Sequence, residues 1–137
     1  MIESPLDKPY WIVDILPEQV PAYSLGQYFA VEKYYLTEPR ITAIRRKQIG
    51  VILKLNCYYD IYLGDEMRKN PPPEALADAI GKTPLQIILD GALIVTDPGD
   101  TYMTVYNPGE GLLERIRTIA AAEGLFVWQP PGAETGT

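Results

Sequence analysis

The feature that most constrains this chain is a pair of tight reversals within residues 85–106. Asp90-Gly91 separates two apolar, β-prone runs, and a two-residue Asp-Gly connection of this kind is typical of a β-hairpin. The segment 97–100, Asp-Pro-Gly-Asp, places proline and glycine as a type II turn prefers, and a third β-prone run follows it. Residues 85–106 are therefore predicted to form a three-stranded antiparallel meander. The continuous apolar content of its first two strands indicates a sheet covered on both faces, or nearly so.

Two helices are predicted before the meander. Apolar residues at helical spacing predict one helix over 25–36, with Ser24 as its N-cap, and another over 38–49, with Thr37 as its N-cap. After the second helix the pattern fits two templates, so residues 50–56 stay open between helix and strand.

Residues 57–63 are predicted to form a strand, because their apolar side chains alternate. Cys57 lies among these apolar residues, where a lone thiol is more often an inert core residue than a nucleophile. As the one cysteine of the chain, it also excludes an internal disulfide framework.

Further elements flank the meander. A short helix is predicted from Pro73, and a longer one after Asn107, which is predicted to be its N-cap. Strands are predicted at 10–16 and at 125–128. Together with the meander, this order indicates an α+β fold, in which helices pack against an antiparallel or mixed sheet.

The domain organisation is predicted to be simple. A chain of 137 residues is long enough to bury a core, and neither a repeat nor an internal linker interrupts it. Residues 1–137 are therefore predicted to form a single domain, with an ordered body over about 10–129 and loose termini at 1–9 and 130–137.

The composition excludes several kinds of site. The chain has no histidine, which removes Ser-His-Asp and Cys-His nucleophiles and every His-ligated metal site. Gly81-Lys82-Thr83 lacks the preceding glycine of a phosphate-binding loop, and the acidic residues lack calcium-loop spacing. We therefore expect no cofactor and no metal.

The location of the protein is predicted from absences. No apolar run approaches the roughly 18 residues that a membrane span needs, and the N-terminal residues have no apolar stretch of signal-peptide type. With no disulfide framework, this pattern favours a cytoplasmic protein without a membrane partner.

Two acidic residues stand inside apolar strands. Asp14 and Asp60 are candidates for a shifted pKa if their side chains point inward, whereas an aspartate on the outward positions of an alternating strand is solvated. Paired carboxylates can perform acid–base chemistry without histidine, but the spacing of the acids singles out no pair.

The candidate binding surface lies at 97–110. Tyr102 and Tyr106 share one face of the predicted third strand, and Asp97, Asp100 and Glu110 flank that strand at its ends. Tyrosines ringed by acids suit a basic protein partner, since the aromatic rings anchor contacts and the charges steer association. We therefore expect a non-enzymatic interaction module.

Two other functions stay open. Ten tyrosines and eighteen acidic residues would also suit a tyrosine- and carboxylate-lined pocket, in a small-molecule-binding protein or a histidine-independent enzyme. The basic segment 40–47 would suit nucleic acid, although the net charge of −6 disfavours such a partner. A homo-oligomer also stays open, because an exposed strand edge can pair with its copy.

Overall fold

The computed structural model describes residues 8–64 and 66–134, so residues 1–7 and 135–137 of the predicted loose termini lie outside the described residues. The described chain has the expected α+β architecture, with four α-helices and a seven-stranded antiparallel sheet. The helices are α1 (Leu25–Tyr35), α2 (Arg40–Asn56), α3 (Pro73–Ala79) and α4 (Glu110–Ala122). The strands are β1 (Tyr10–Asp14), β2 (Tyr62–Leu63), β3 (Arg68–Lys69), β4 (Leu85–Leu89), β5 (Ala92–Thr96), β6 (Met103–Tyr106) and β7 (Phe126–Trp128).

The predicted meander forms the centre of this sheet, whose strand order is β3-β2-β4-β5-β6-β1-β7. Asp90 and Gly91 have φ angles of 48° and 76°, and a two-residue type I′ hairpin needs positive φ at both of its central positions. The turn therefore fixes a register in which Leu89 lies opposite Ala92 and Ile87 opposite Ile94.

The second reversal has a different geometry from the predicted one. The Asp100 N–H donates to Asp97 O at 3.1 Å, which closes the turn, and the Gly99 N–H donates to Asp97 Oδ1 at 2.8 Å. Gly99 lacks the positive φ that a type II turn requires, so that prediction is wrong. The Asp97 side chain accepts the Gly99 N–H and thereby stabilises the turn without a positive φ at Gly99.

Helices cover one face of the sheet. Because strand side chains alternate, Val13, Met103 and Val105 of β1 and β6 point to the same side as Ile87 and Ile94 of the hairpin. These residues share one buried cluster with side chains of α2, α3 and α4, among them Ile52, Leu55, Leu76, Leu112 and Ile116. The apolar face predicted for the last helix is buried in this core.

The opposite side of the sheet, here called the open face, has a different character. Tyr10 lies opposite Tyr106 and Ile12 opposite Thr104, so β1 and β6 present polar and aromatic side chains side by side. Among the meander residues on this face, Leu93 is buried, Val95 and Ile88 are half-buried, and Gln86 is exposed. The prediction of a sheet covered on both faces is therefore wrong for much of this side.

The residues after the second predicted helix remain helical. Helix α2 continues through 50–56, since Val51, Ile52 and Leu55 extend its buried stripe onto the core. The strand predicted over 57–63 is wrong except for β2, because the chain leaves α2 in a turn in which Tyr59 N–H donates to Leu55 O. Cys57 lies in this turn and is exposed, so the prediction that it belongs to the core is wrong.

The predicted helix caps are mostly replaced by other contacts. Ser24 holds the N-cap position of α1 but makes no side-chain capping hydrogen bond. The Thr37 hydroxyl donates back to Lys33 O, and Pro39 takes the N-cap position of α2. The Asn107 amide donates to Gly91 O in the hairpin turn at 3.3 Å, which leaves Gly109 as the N-cap of α4.

The C-terminal segment contacts β1. Ala133 is buried, and its carbonyl accepts a hydrogen bond from Tyr10 N–H at 3.1 Å. Residues 130–133, within the predicted loose terminus, thus form a turn that continues the pairing along β1. Strand β3, which pairs with β2 at the other edge, was not predicted because its two residues are polar.

Among the described residues, none of the helices has the length and apolar character needed to span a membrane.

The hairpin turn makes a test of the fold possible. Gly91→Ala places a Cβ in open space but at a left-handed φ, so the free energy of unfolding should fall by about 1 kcal/mol. Gly111→Ala is the matched control, because its Cβ also meets open space but within α4, where alanine is favourable. Urea unfolding of both variants measures the difference, and an equal effect at both positions would contradict the turn assignment.

Candidate functional site

A cavity of about 540 Å³ lies on the open face of the sheet. Its floor is built by alternate residues of three neighbouring strands, which the register places side by side: Tyr10, Ile12 and Asp14 of β1, Thr104 and Tyr106 of β6, and Trp128 of β7. The segment before β6 adds Tyr102. A volume of this size is within the range of small-molecule sites.

The wall of the cavity is formed by the segment between β1 and α1 and by the start of that helix. Leu16, Val20, Leu25 and Tyr28 line this side. The Tyr28 hydroxyl donates a hydrogen bond to Glu32 Oε2 at 2.9 Å, one turn further along α1. No residue of α1 is buried, so this helix stands at the margin of the fold and shapes the cavity without joining the core.

Aromatic rings dominate the lining. Tyr10, Tyr28, Tyr102, Tyr106 and Trp128 all line the cavity, and all five are half-buried. The Tyr10 and Tyr106 rings lie opposite each other across the strand pair, with centroids 5.5 Å apart and planes tilted by 43°. Rings at this distance interact favourably and hold each other in place.

Asp14 is the ionisable group deepest in the cavity. It ends β1 on the open face, is 4% exposed, and accepts a hydrogen bond from Ile15 N–H at Oδ1, at 2.7 Å. Burial raises the pKa of Asp14, and this effect outweighs the lowering by the Ile15 and Leu16 N–H groups and by the Trp128 indole. The other sequence candidate for a shifted pKa, Asp60, is exposed.

The Trp128 side chain lines the same cavity. Its indole N–H interacts with Asp14 and lowers the pKa of that carboxyl, although the contact falls outside full hydrogen-bond geometry and Nε1 is buried. Buried N–H groups are almost always paired, and the Asp14 carboxylate is the acceptor with which this donor interacts.

Negative charge is concentrated at the Asp14 end of the cavity. Burial raises the pKa of Tyr102, and Asp100, Glu32 and Asp14 raise it further. Burial and the hydrogen bond to Glu32 likewise raise the pKa of Tyr28. Glu18 adds a further carboxylate to the lining, and none of the described residues that line the cavity is Lys or Arg.

The structure divides the five residues of the predicted binding surface. Tyr102 and Tyr106 line the cavity, whereas Asp97, Asp100 and Glu110 do not. Asp100 acts on Tyr102 through its charge, and Asp97 holds the turn before β6. Glu110 begins α4 beyond the other end of the strand and is exposed.

Sequence reasoning missed most of the cavity. It singled out Asp14 for its place in an apolar strand but did not bring Tyr10, Tyr28 or Trp128 to the site. A signal is present, because Tyr10, Ile12 and Asp14 alternate as Tyr102, Thr104 and Tyr106 do. The pairing of β1 with β6, which joins the two sets, cannot be read from either alternation.

The basic segment 40–47 is partly consumed by internal contacts. Arg45 is buried and donates to Gln48 Oε1 at 3.0 Å and to Pro98 O at 2.7 Å. The Arg40 guanidinium lies 3.7 Å from the centroid of the Tyr34 ring and donates to Tyr34 O. Two of the four cations thus stabilise the fold, which weakens the case for a nucleic-acid surface here.

Across residues 8–64 and 66–134, no group of three His, Cys, Asp or Glu side chains could hold a metal ion.

The raised pKa of Asp14 predicts a pH dependence of stability. The folded chain holds a proton that the unfolded chain has released, so the stability gained by protonation is lost as pH rises through the folded pKa. Asp14→Asn cannot ionise, and its free energy of unfolding should therefore rise relative to wild type from acid to neutral pH. Urea unfolding over this range measures the difference, with exposed Asp60→Asn as the control for net charge. A constant difference between Asp14→Asn and wild type would contradict the raised pKa.

Comparison with known proteins assigns no family to this chain. No protein-family model matches it, and neither a curated protein nor a solved structure matches it. Its function therefore has to be inferred from the residues of the cavity and their geometry.

Proposed function

We propose that this protein binds a small organic ligand in the cavity of the open face. The observation that carries the proposal is the convergence of five half-buried aromatic rings and a buried carboxylate around about 540 Å³ of space. Small-molecule sites have this character, with an apolar and aromatic lining and a few placed polar groups. The proposal favours the pocket hypothesis over an interaction surface at 97–110.

Binding is proposed rather than catalysis. In the described structure, no hydrogen bond joins Asp14 to a Ser, Cys, Tyr or Lys side chain, as a nucleophile and its base would require. The chain has no histidine that could act as a base, and Asp14 is the one strongly buried acid among the described residues of the cavity lining.

We further propose a cytoplasmic location, since a single cysteine forms no internal disulfide.

A substitution on the cavity floor tests the proposal. Thr104→Phe inserts a ring among Tyr10, Tyr102 and Tyr106 and should abolish the thermal stabilisation given by compounds that bind the wild type. Gln86→Phe is the matched control, because it adds the same ring to the open face at an exposed site outside the cavity. Thermal shift against a library of small polar and apolar compounds provides the measurement. Equal stabilisation of Thr104→Phe and Gln86→Phe would place the ligand elsewhere, and a library without any effect on the wild type would reject the proposal.

A basic protein partner is the second candidate function. Asp97 and Asp100 are half-buried at the end of β6 next to the cavity, and Tyr102 is half-buried beside them, so acids and an aromatic ring adjoin on the surface. Such a set would steer and anchor a cationic segment.

An oligolysine peptide tests this second candidate function. If the turn at 97–100 binds a basic protein, Asp97→Asn with Asp100→Asn should weaken binding of the peptide by about tenfold, because two charges are removed from the contact. Glu110→Gln with Glu114→Gln, on exposed positions of α4, controls for net charge. Isothermal titration at low salt gives both affinities, and no difference between the two double variants would remove this candidate.

A further inference from the structure

We infer that the cavity selects an organic cation, held by its alkylammonium group between the tyrosine rings and Asp14. This inference rests on the proposed ligand-binding function and names the ligand class. It is carried by two features that the cavity combines: its aromatic rings, and carboxylates that have no Lys or Arg beside them among the described lining residues.

The aromatic rings supply the surface that an ammonium group prefers. The electron-rich face of a Tyr or Trp ring attracts a cation, and several rings around one site recognise methylated ammonium groups. Five such rings line this cavity, and Tyr10 and Tyr106 are already fixed 5.5 Å apart. The chain forms the same type of contact elsewhere, since Arg40 lies over Tyr34 and Arg115 over Tyr58, both outside the cavity.

The charge of the cavity favours the same ligand. Asp14 is 4% exposed, Glu18 lines the cavity, and no Lys or Arg is found among its described lining residues. Asp14 accepts a hydrogen bond from Ile15 N–H, but burying a carboxylate without a cation is still unfavourable, because the charge loses its hydration. A bound ammonium group would supply the cation, whereas an anionic ligand would meet Asp14 and Glu18.

The volume of the cavity indicates a ligand larger than a bare ammonium group. About 540 Å³ exceeds the volume of a single ammonium group and leaves room for a polar group beside it. Free amino alcohols and the methylated lysine side chains of peptides share this chemistry.

A pair of probes with equal shape and different charge tests the inference. Choline carries a trimethylammonium group and a hydroxyl, and 3,3-dimethylbutan-1-ol is its neutral isostere. Isothermal titration should show choline binding at least about tenfold more tightly, because cation–π attraction and the Asp14 charge both act on choline alone. A short peptide with trimethyllysine, measured beside the unmethylated peptide, shows whether the natural source is a free amine or a protein side chain. Tighter binding of choline than of its neutral isostere supports the inference. Tighter binding of the trimethyllysine peptide than of the unmethylated peptide, which is also cationic, supports recognition of the methylated ammonium group by the rings.

Matched variants identify the groups that bind the cation. Asp14→Asn should weaken the binding of choline by about tenfold and leave the affinity for the isostere unchanged, since only the charge is removed. Asp60→Asn makes the same change at an exposed site and should affect neither probe. Tyr106→Leu removes an aromatic ring but keeps the site apolar. It should weaken the binding of choline more than the binding of the isostere.

The outcomes separate this inference from the proposed function. Equal affinity for choline and its isostere would overturn the choice of an organic cation while leaving a ligand-binding cavity intact. If neither probe binds and the compound library also has no effect on the wild type, the proposed function itself fails.

Discussion

The packing of helices on one side of the sheet is the constraint on which the site depends. Helices α2, α3 and α4 bury a single apolar cluster against Val13, Met103, Val105 and the inward residues of the hairpin. Side chains alternate along each strand, so every residue that joins this core sends its neighbours to the opposite side. Asp14 and Tyr106 therefore reach the open face because Val13 and Val105 beside them are held in the core.

The sequence predicted local structure far better than long-range pairing. Asp90-Gly91 specifies a hairpin because few residues accept positive φ, and this signal depends on nothing distant. Residues 57–63 were predicted as a strand from alternation alone, but α2 extends to Asn56 because Leu55 has a core to bury against, and the chain then leaves the helix in a turn. Asn107 was predicted to cap α4, yet its amide bonds to Gly91 O, a partner that only the folded meander provides. A tyrosine- and carboxylate-lined pocket was one of the open alternatives, but most of the residues that line the cavity were missed for the same reason, since they come together only when β1 lies beside β6.

Asp97 and Asp14 have separate physical roles. The Asp97 carboxylate accepts the N–H of Gly99 and stabilises a turn that Arg45 also contacts through Pro98 O. Asp14, by contrast, is buried in an aromatic site, where desolvation raises its pKa and none of the described lining residues is a Lys or Arg that would compensate its charge. Net charge alone could not distinguish these roles, because they depend on burial and on which groups each carboxylate contacts.

The marginal position of α1 has a consequence for the range of molecules that the proposed site would accommodate. This helix supplies Tyr28 to one side of the cavity but buries none of its own residues, so little apolar contact would be lost if it shifted outward. The strands opposite it belong to the rigid core and would stay in place. A large ligand is thus expected to be accommodated by displacement of α1 rather than by distortion of the sheet. The lining residues on the sheet would then keep their positions while the volume of the site changes.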